Sequence, residues 1–179
     1  MATMAGRTRW VVLVGALVLG LGTLGMASVP AAGAASSVTQ CSTADLSAQL
    51  KAGSPGAGQR YATVVLTNRS THSCTLGGYG GMALLGAPRQ GVPTDLRRVA
   101  SPAPTTLTVA PGGSVRSLLH WTVIPAADEP GTACEPTAVT VVVTPPNQTT
   151  ALLRPWTFGP VCQHGAIWQN AYVAGSAAF

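Results

Sequence analysis

Charged side chains are scarce in this sequence, and their scarcity limits the reactions it could catalyse. Only 8% of the 179 residues are charged, and five of them are acidic. A glycosidase needs two positioned carboxylates, and Asp128 and Glu129 lie together in one predicted loop. The G-x-S-x-G motif of many serine hydrolases is absent, and the three histidines are scattered. We therefore expect no catalytic residues and expect that the protein is not an enzyme.

Basic residues are also few, and they are spread along the chain. Loss of Arg7 and Arg9 with an N-terminal leader would leave eight of the ten basic residues against five acidic ones, a balance of +3. Proteins that bind nucleic acids usually gather their basic residues on one face or in one run, whereas only Arg97 and Arg98 are adjacent in the remaining chain. We therefore expect no nucleic-acid partner. No stretch identifies a cofactor, and we expect none.

The first 35 residues have the features of a secretory signal peptide. Basic residues precede an apolar run over residues 10–26, and Ala32-Gly33-Ala34 matches the A-x-A cleavage pattern. An uncleaved membrane anchor is the alternative, but a run of 17 residues is at the short end of what spans a bilayer. We expect a cleaved signal peptide over residues 1–35, a linker over 36–40 and a single domain over 41–179. The protein would then be secreted, and would touch a membrane only if the leader were retained.

Four cysteines follow the leader: Cys41, Cys74, Cys134 and Cys162. Their even number and wide spacing in an exported protein predict two disulfides, of which three connectivities are possible. We favour Cys41–Cys74 and Cys134–Cys162, because each bond closes one local half of the chain. His72-Ser73-Cys74 resembles a pair of metal ligands, but a cysteine in a disulfide is not a thiolate ligand. We therefore expect no metal site.

Threonine, valine, glycine and proline divide the rest of the chain into short strands and turns. Alternating apolar and polar residues, or short apolar runs bounded by turn residues, predict strands. The predicted strands are residues 60–68, 82–85, 106–109, 115–123, 138–143, 151–153 and 167–173, with a short edge strand over 96–99. Residues 44–50 fit either a strand or a helical turn.

Two of these strands and one turn give the most specific expectations. Trp121 is the large core residue of strand 115–123, on the same face as Leu119. Strand 138–143 is nearly all β-branched, as expected of a central strand packed on both faces. Ala110-Pro111-Gly112-Gly113 fits a type II turn. Seven or eight such strands predict an all-β fold, an immunoglobulin-like antiparallel β-sandwich with two disulfides.

Four aromatic residues are candidate contact residues. Tyr79 lies in the glycine-rich bend 77–81 and Trp156 in a segment bounded by proline, while Trp168 and Tyr172 are four residues apart, which predicts one shared strand face. Exposed aromatic side chains often mark contacts with proteins or carbohydrates. The alternative is that these side chains cap the core. His120 is expected to be an ordinary surface residue on the polar face of its strand.

Several of these features occur together, in the same order, in one known family. Leu66-Thr67-Asn68-Arg69-Ser70 precedes Cys74-Thr75-Leu76-Gly77-Gly78-Tyr79-Gly80-Gly81, and a Pro-Gly-Gly-Ser turn leads to the strand with Trp121. With a third cysteine before a Val-rich strand and a final Val-Cys, this order resembles a family of secreted actinobacterial proteins, domain of unknown function 4232. The resemblance covers most of residues 41–173. It implies an exported single β-domain and no activity, and Gly80, where members often have proline, implies a looser bend.

Together these features predict a secreted, non-catalytic module that acts by binding or structural association at or outside the cell envelope. Its partner would be a protein or glycan of the envelope. The alternative is a small extracellular enzyme or enzyme inhibitor with a site built on loops. The first function depends on exposed aromatic side chains, and the second on histidine and carboxylate side chains.

Overall fold

The structure, a computed structural model, describes residues 37–129 and 134–179, so the predicted leader over residues 1–35 lies outside the described residues. The described part begins with one turn of 3-10 helix (Thr43–Asp45). Twelve strands follow: β1 (Leu46–Ala52), β2 (Gln59–Asn68), β3 (Cys74–Gly77), β4 (Gly81–Leu85), β5 (Gly91–Val92), β6 (Asp95–Val99), β7 (Thr106–Val109), β8 (Ser114–Thr122), β9 (Thr140–Thr144), β10 (Leu152–Pro155), β11 (Ala166–Asn170) and β12 (Val173–Ala174). Over the described ranges, no helix has the length and apolar character needed to cross a membrane.

Two main sheets and a two-stranded ribbon make up the fold. The larger sheet has six strands in the order β1-β2-β8-β11-β6, with β12 also paired to β8. The second sheet has the order β10-β9-β4-β5, and the ribbon is β3-β7. The core contains Leu66 and Trp121 from the first sheet and Leu84 and Val141 from the second. The prediction of an all-β fold is confirmed, and the two sheets around one core are compatible with an immunoglobulin-like sandwich.

Two details differ from the expected arrangement. β11 pairs with β6 in parallel, although the other ladders between the described strands are antiparallel. The strand count is also higher than seven or eight, partly because β5 and β12 contain two residues each. A two-residue strand is too short to show the alternation of apolar and polar residues. Whether two distant strands pair in parallel or antiparallel cannot be predicted from the sequence of either segment alone.

β2 and β8 form the longest ladder of the fold, with nine residue pairs from Gln59↔Thr122 to Thr67↔Ser114. The predicted core face of β8 is confirmed, since Leu119 and Trp121 are fully buried. On β2, Ala62, Val64 and Leu66 are fully buried as well. The turn that leads into β8 also has the predicted type. Gly112 has φ of +73°, and the N–H of the following glycine donates to the carbonyl of Ala110 at 2.8 Å.

β9 is central in its sheet, between β10 and β4, but it is covered on one face. Val141 and Val143 are buried, whereas Val142 is half-buried and Val139, just before the strand, is 45% exposed. The expectation that both faces are packed is therefore wrong. The β-branched run reflects strand propensity, and the outer face of this sheet is left to solvent.

Both predicted disulfides form, Cys41–Cys74 and Cys134–Cys162, and the described residues contain no free cysteine. The first bond ties the segment before β1 to the start of β3, where the Cys41 N–H also donates to the carbonyl of Thr75 at 2.9 Å. The sulfur of Cys74 is therefore not available as a thiolate ligand beside His72. Two disulfides are typical of a protein that resides in an oxidising compartment.

Asn68, the last residue of β2, is fully buried, and the nitrogen and the oxygen of its side-chain amide each form two hydrogen bonds. Its Nδ2 donates to the carbonyls of His72 and Val109 at 2.8 and 3.0 Å. Its Oδ1 accepts from the N–H and the hydroxyl of Ser70 at 2.9 and 2.7 Å. This one side chain thus joins the end of β2 to the following turn and to the end of β7.

We expect Asn68→Asp to destabilise the fold. The substitution replaces the Nδ2 donor with an oxygen that faces two carbonyls, and it buries a charge, so the free energy of unfolding should fall by about 3 kcal/mol. Urea denaturation of the oxidised protein measures the change. The matched control is Asn147→Asp at an exposed turn residue, with an expected change within about 0.5 kcal/mol. Equal losses in the two variants would contradict the role assigned to Asn68.

Candidate interaction surface

Four side chains form a continuous stack across the outer face of the six-stranded sheet. Tyr61 on β2 lies opposite His120 on β8, His120 lies opposite Trp168 on β11, and Trp168 lies opposite Arg97 on β6. The ring centroids are 4.8 Å apart for Tyr61–His120 and 5.5 Å for His120–Trp168. The guanidinium carbon of Arg97 lies 5.3 Å from the centroid of the Trp168 ring. We call these four residues the outer stack.

The spacing of the outer stack follows from the spacing of the strands. Neighbouring strands lie about 4.8 Å apart, so side chains that are directly opposite across each ladder come into contact. His120 and Trp168 each have a neighbour of the stack on both ring faces. Both rings are half-buried, and since their faces are covered, their edges are what solvent or a partner can reach.

His120 is the polar centre of the outer stack. Its Nε2 lies 2.6 Å from Oε1 of Gln59, so the tautomer with a proton on Nε2 donates to that oxygen. Burial lowers the pKa of His120 below its ordinary value of 6.5, because a charged ring loses solvation between its two neighbours. The ring is therefore neutral near pH 7.

Arg97 supplies the positive charge of the outer stack, and Asp95 partly balances it. The Nε and one terminal nitrogen of Arg97 both lie 2.7 Å from Oδ2 of Asp95. Both side chains are 51% exposed, so this pair contributes little to stability. It helps to hold the guanidinium over the Trp168 ring, within the distance of an attractive cation–π contact.

Tyr79, a predicted contact residue, lies at the edge of the same sheet and is half-buried. Its hydroxyl donates to the carbonyl of Val99 at the end of β6, at 2.6 Å, and the guanidinium carbon of Arg98 lies 5.3 Å from its ring centroid. The bend that contains Tyr79 needs glycine at position 80, since a Cβ there would lie 2.7 Å from the carbonyl oxygen of Thr144. Tyr79 therefore fastens the edge strand, and one side of its ring borders the surface.

Two of the predicted contact residues lie in the core. Trp156 is buried, packs against Trp121 with centroids 5.1 Å apart, and donates from Nε1 to the carbonyl of Gly159. Tyr172 is fully buried, and its burial raises the pKa of its hydroxyl. The expectation that Trp168 and Tyr172 share one strand face is wrong. β11 ends at Asn170, and the two residues before β12 lie outside the strands, which ends the alternation that the spacing assumed.

A second polar cluster lies in loops beside the Cys134–Cys162 bond. Donor atoms of Glu129, Glu135 and His164 lie within 4.8 Å of one another, a set that could hold a cation. The carboxylate of Glu129, however, already accepts the backbone N–H groups of Ala126, Gln163 and His164. Burial acts to raise the pKa of Glu129, but these hydrogen bonds outweigh it and lower the pKa. The carboxylate therefore acts mainly as an anchor between two loops.

The model of a family described as "Domain of unknown function (DUF4232)" matches residues 41–170. The chain belongs to this family. No curated protein and no solved structure matches the chain. The matched part of the DUF4232 domain contains the four cysteines and the whole outer stack, and it ends before Tyr172 and the C-terminal residues.

Three members of the outer stack are not among the residues predicted as contacts. Alternation along β2 and β8 does place Tyr61 and His120 on outward faces, and His120 was expected only as an ordinary surface residue. Arg97 lies on the short edge strand expected near residues 96–99. The missing information is which strands pair and in which register, because that pairing is what brings the four side chains together.

We expect the imidazole of His120 to titrate below pH 6.5. The pKa of His120 is lowered in the folded state, so the neutral ring is favoured by folding. This contribution to stability is fully present above pH 6.5, the ordinary pKa of histidine, and it is lost as the pH falls through the folded-state pKa. The His120→Phe variant keeps an aromatic ring without the titration, so it should lose less stability than the wild type between pH 7 and pH 5. NMR titration of the ring signals gives the pKa directly. A value at or above 6.5 would show instead that the flanking rings stabilise the imidazolium.

Proposed function

We propose that this DUF4232 protein is a secreted, non-catalytic binding module that takes a protein partner of the cell envelope on the outer stack. The observation that carries the proposal is the stack itself, in which tyrosine, tryptophan and arginine side chains stand in one row on the outer face of a sheet. These three residue types dominate the energetic centres of protein interfaces. The row spans four strands and is therefore wide enough to serve as the centre of a contact.

The rigidity of the outer stack supports a binding role. Each of its side chains is held by its neighbours, and the strands below it are paired in fixed register. Side chains that are already ordered lose little conformational entropy when a partner binds. Such a surface can therefore use most of its contact energy for affinity.

The orientation of the rings favours a protein over a glycan as the partner. A sugar ring stacks on an open aromatic face, and both faces of His120 and Trp168 are covered by other members of the stack. The ring edges, with the guanidinium of Arg97 and the carboxylate of Asp95 beside them, suit the mixed polar and apolar contacts of a protein interface.

Three further observations support secretion and the absence of catalysis. The two disulfides suit an oxidising compartment, and the first 35 residues resemble a cleavable signal peptide. Among the described residues, the carboxylate of Glu129 near His164 serves to hold backbone N–H groups. A structural carboxylate of this kind is poorly suited to act as a general base.

We expect Trp168→Ala to weaken partner capture by about tenfold or more, since removal of a central aromatic side chain typically costs over 1 kcal/mol. The measurement is recovery of proteins from envelope fractions on immobilised wild-type and variant protein, with bound material compared by mass spectrometry. Leu153→Ala is the matched control, because Leu153 is 46% exposed on the other sheet, and it should capture as the wild type does.

Asp128 and His164 lie beside Glu129 in the second polar cluster, with Oδ1 of Asp128 3.3 Å from Nε2 of His164, and their substitution separates binding from catalysis. Asp128→Ala and His164→Ala should leave capture unchanged if the outer stack is the binding surface. Loss of capture in these two variants, with full capture by a folded Trp168→Ala variant, would contradict the proposed function.

A further inference from the structure

Two outward-facing residues of β2 are as deeply buried as residues of the core. Thr63 and Val65 alternate with the core residues of that strand and so face away from the core, yet their exposed fractions are 0% and 2%. The outer face of a sandwich sheet is normally in contact with solvent. The hydroxyl of Thr63 accepts a hydrogen bond from the segment that follows β12, residues 175–179, which we call the strap. Val65 lies directly opposite Arg116, which also contacts the strap.

The strap is held by side chains from three strands of the sheet. Nζ of Lys51 on β1 donates to the carbonyl of Ser176 at 2.6 Å. A terminal nitrogen of Arg116 on β8 donates to the carbonyl of Ala177 at 3.2 Å. The N–H of Phe179 donates to the hydroxyl of Thr63 on β2 at 3.2 Å. We call Lys51, Thr63, Val65 and Arg116 the strap groove.

These contacts indicate what kind of segment the strap groove accepts. Lys51 and Arg116 bind carbonyl groups of the backbone, so they place no requirement on the side chains of Ser176 and Ala177 beyond small size. One aromatic side chain is recognised, since the guanidinium carbon of Arg116 lies 4.1 Å from the ring centroid of Phe179. The groove therefore suits an extended, uncharged segment of small residues that carries one aromatic ring.

The strap leaves part of this site unused. Nε of Arg116 is buried and has no hydrogen-bond partner among the described residues, and a buried donor without an acceptor costs free energy. The ring of Phe179 is still 51% exposed. A segment that covers the ring more fully, or offers Nε an acceptor, would bind more tightly than the strap does.

We propose that the strap groove is a peptide-binding site, separate from the outer stack, that the strap occupies in cis. Its ligand in trans is an extended, uncharged segment of small residues with one aromatic side chain, which binds when it displaces the strap. The four groove residues lie within the residues matched by the family model, and the strap lies beyond them. The site does not depend on the proposed function of the outer stack, and each can fail without the other.

The experiment is an NMR titration of the full-length Phe179→Ala variant with the uncharged peptide acetyl-Gly-Ser-Ala-Ala-Phe-amide. Removal of the ring weakens the strap, so the peptide should shift the backbone signals of Thr63 and Arg116 in a saturable manner. Half-saturation should need about three to ten times less peptide than with the wild type, whose intact strap competes. The peptide acetyl-Gly-Ser-Ala-Ala-Ala-amide should bind more weakly by a similar factor.

Variants of two stacked arginines provide the control. Arg116→Gln in the Phe179→Ala background should abolish the shifts, whereas Arg98→Gln, which alters an arginine stacked on Tyr79, should retain them. If Arg116→Gln fails to fold, Lys51→Gln tests the same carbonyl recognition. The proposal is overturned if millimolar peptide causes no shift, if both peptides act alike, or if the shifts centre on Trp168.

Discussion

The ladder between β2 and β8 is the constraint on which the rest of the structure depends. Its register puts Tyr61 opposite His120 and Val65 opposite Arg116 on the outer face, with Trp121 on the inner face. Because strand side chains alternate with a period of two, a slip of one residue would move Trp121 into solvent and His120 into the core. Asn68 and the β7–β8 turn secure one end of the ladder. The outer stack and the strap groove both contain side chains of β2 and β8, so both depend on its register.

The features that could be predicted from the sequence are those encoded within single segments. Alternation predicts β2, β8 and the core face of β8, Pro111-Gly112 predicts the turn, and the local spacing of the cysteines favours the observed pairing of both disulfides. Pairing between distant segments is different, because nothing within residues 95–99 indicates a parallel ladder with residues 166–170. Arg97 could therefore not be placed beside Trp168. The error at Tyr172 has a similar origin, since a two-residue interruption changes which way a side chain points and leaves no sign in the spacing.

The outer faces of the two main sheets differ in the side chains that they expose. The outer face of the four-stranded sheet exposes a few apolar side chains such as Val139 and Leu153, and exposed apolar residues are common on protein surfaces. The outer face of the six-stranded sheet carries the outer stack and, two residues further along β2, the strap groove. Tyr61 and Thr63 are successive outward positions of that strand, so a partner bound to the outer stack would lie next to the strap.

Footprinting by hydroxyl radicals tests most directly whether this face is the binding surface. The protein is labelled with and without an envelope extract, and modification is quantified at Tyr61, Trp168 and Leu153 by mass spectrometry. We expect the extract to lower modification of Tyr61 and Trp168 at least about twofold and to leave Leu153 unchanged, because a bound partner excludes solvent from the centre of an interface. Unchanged modification of the outer stack, or protection centred on Leu153, would contradict a binding surface on this face.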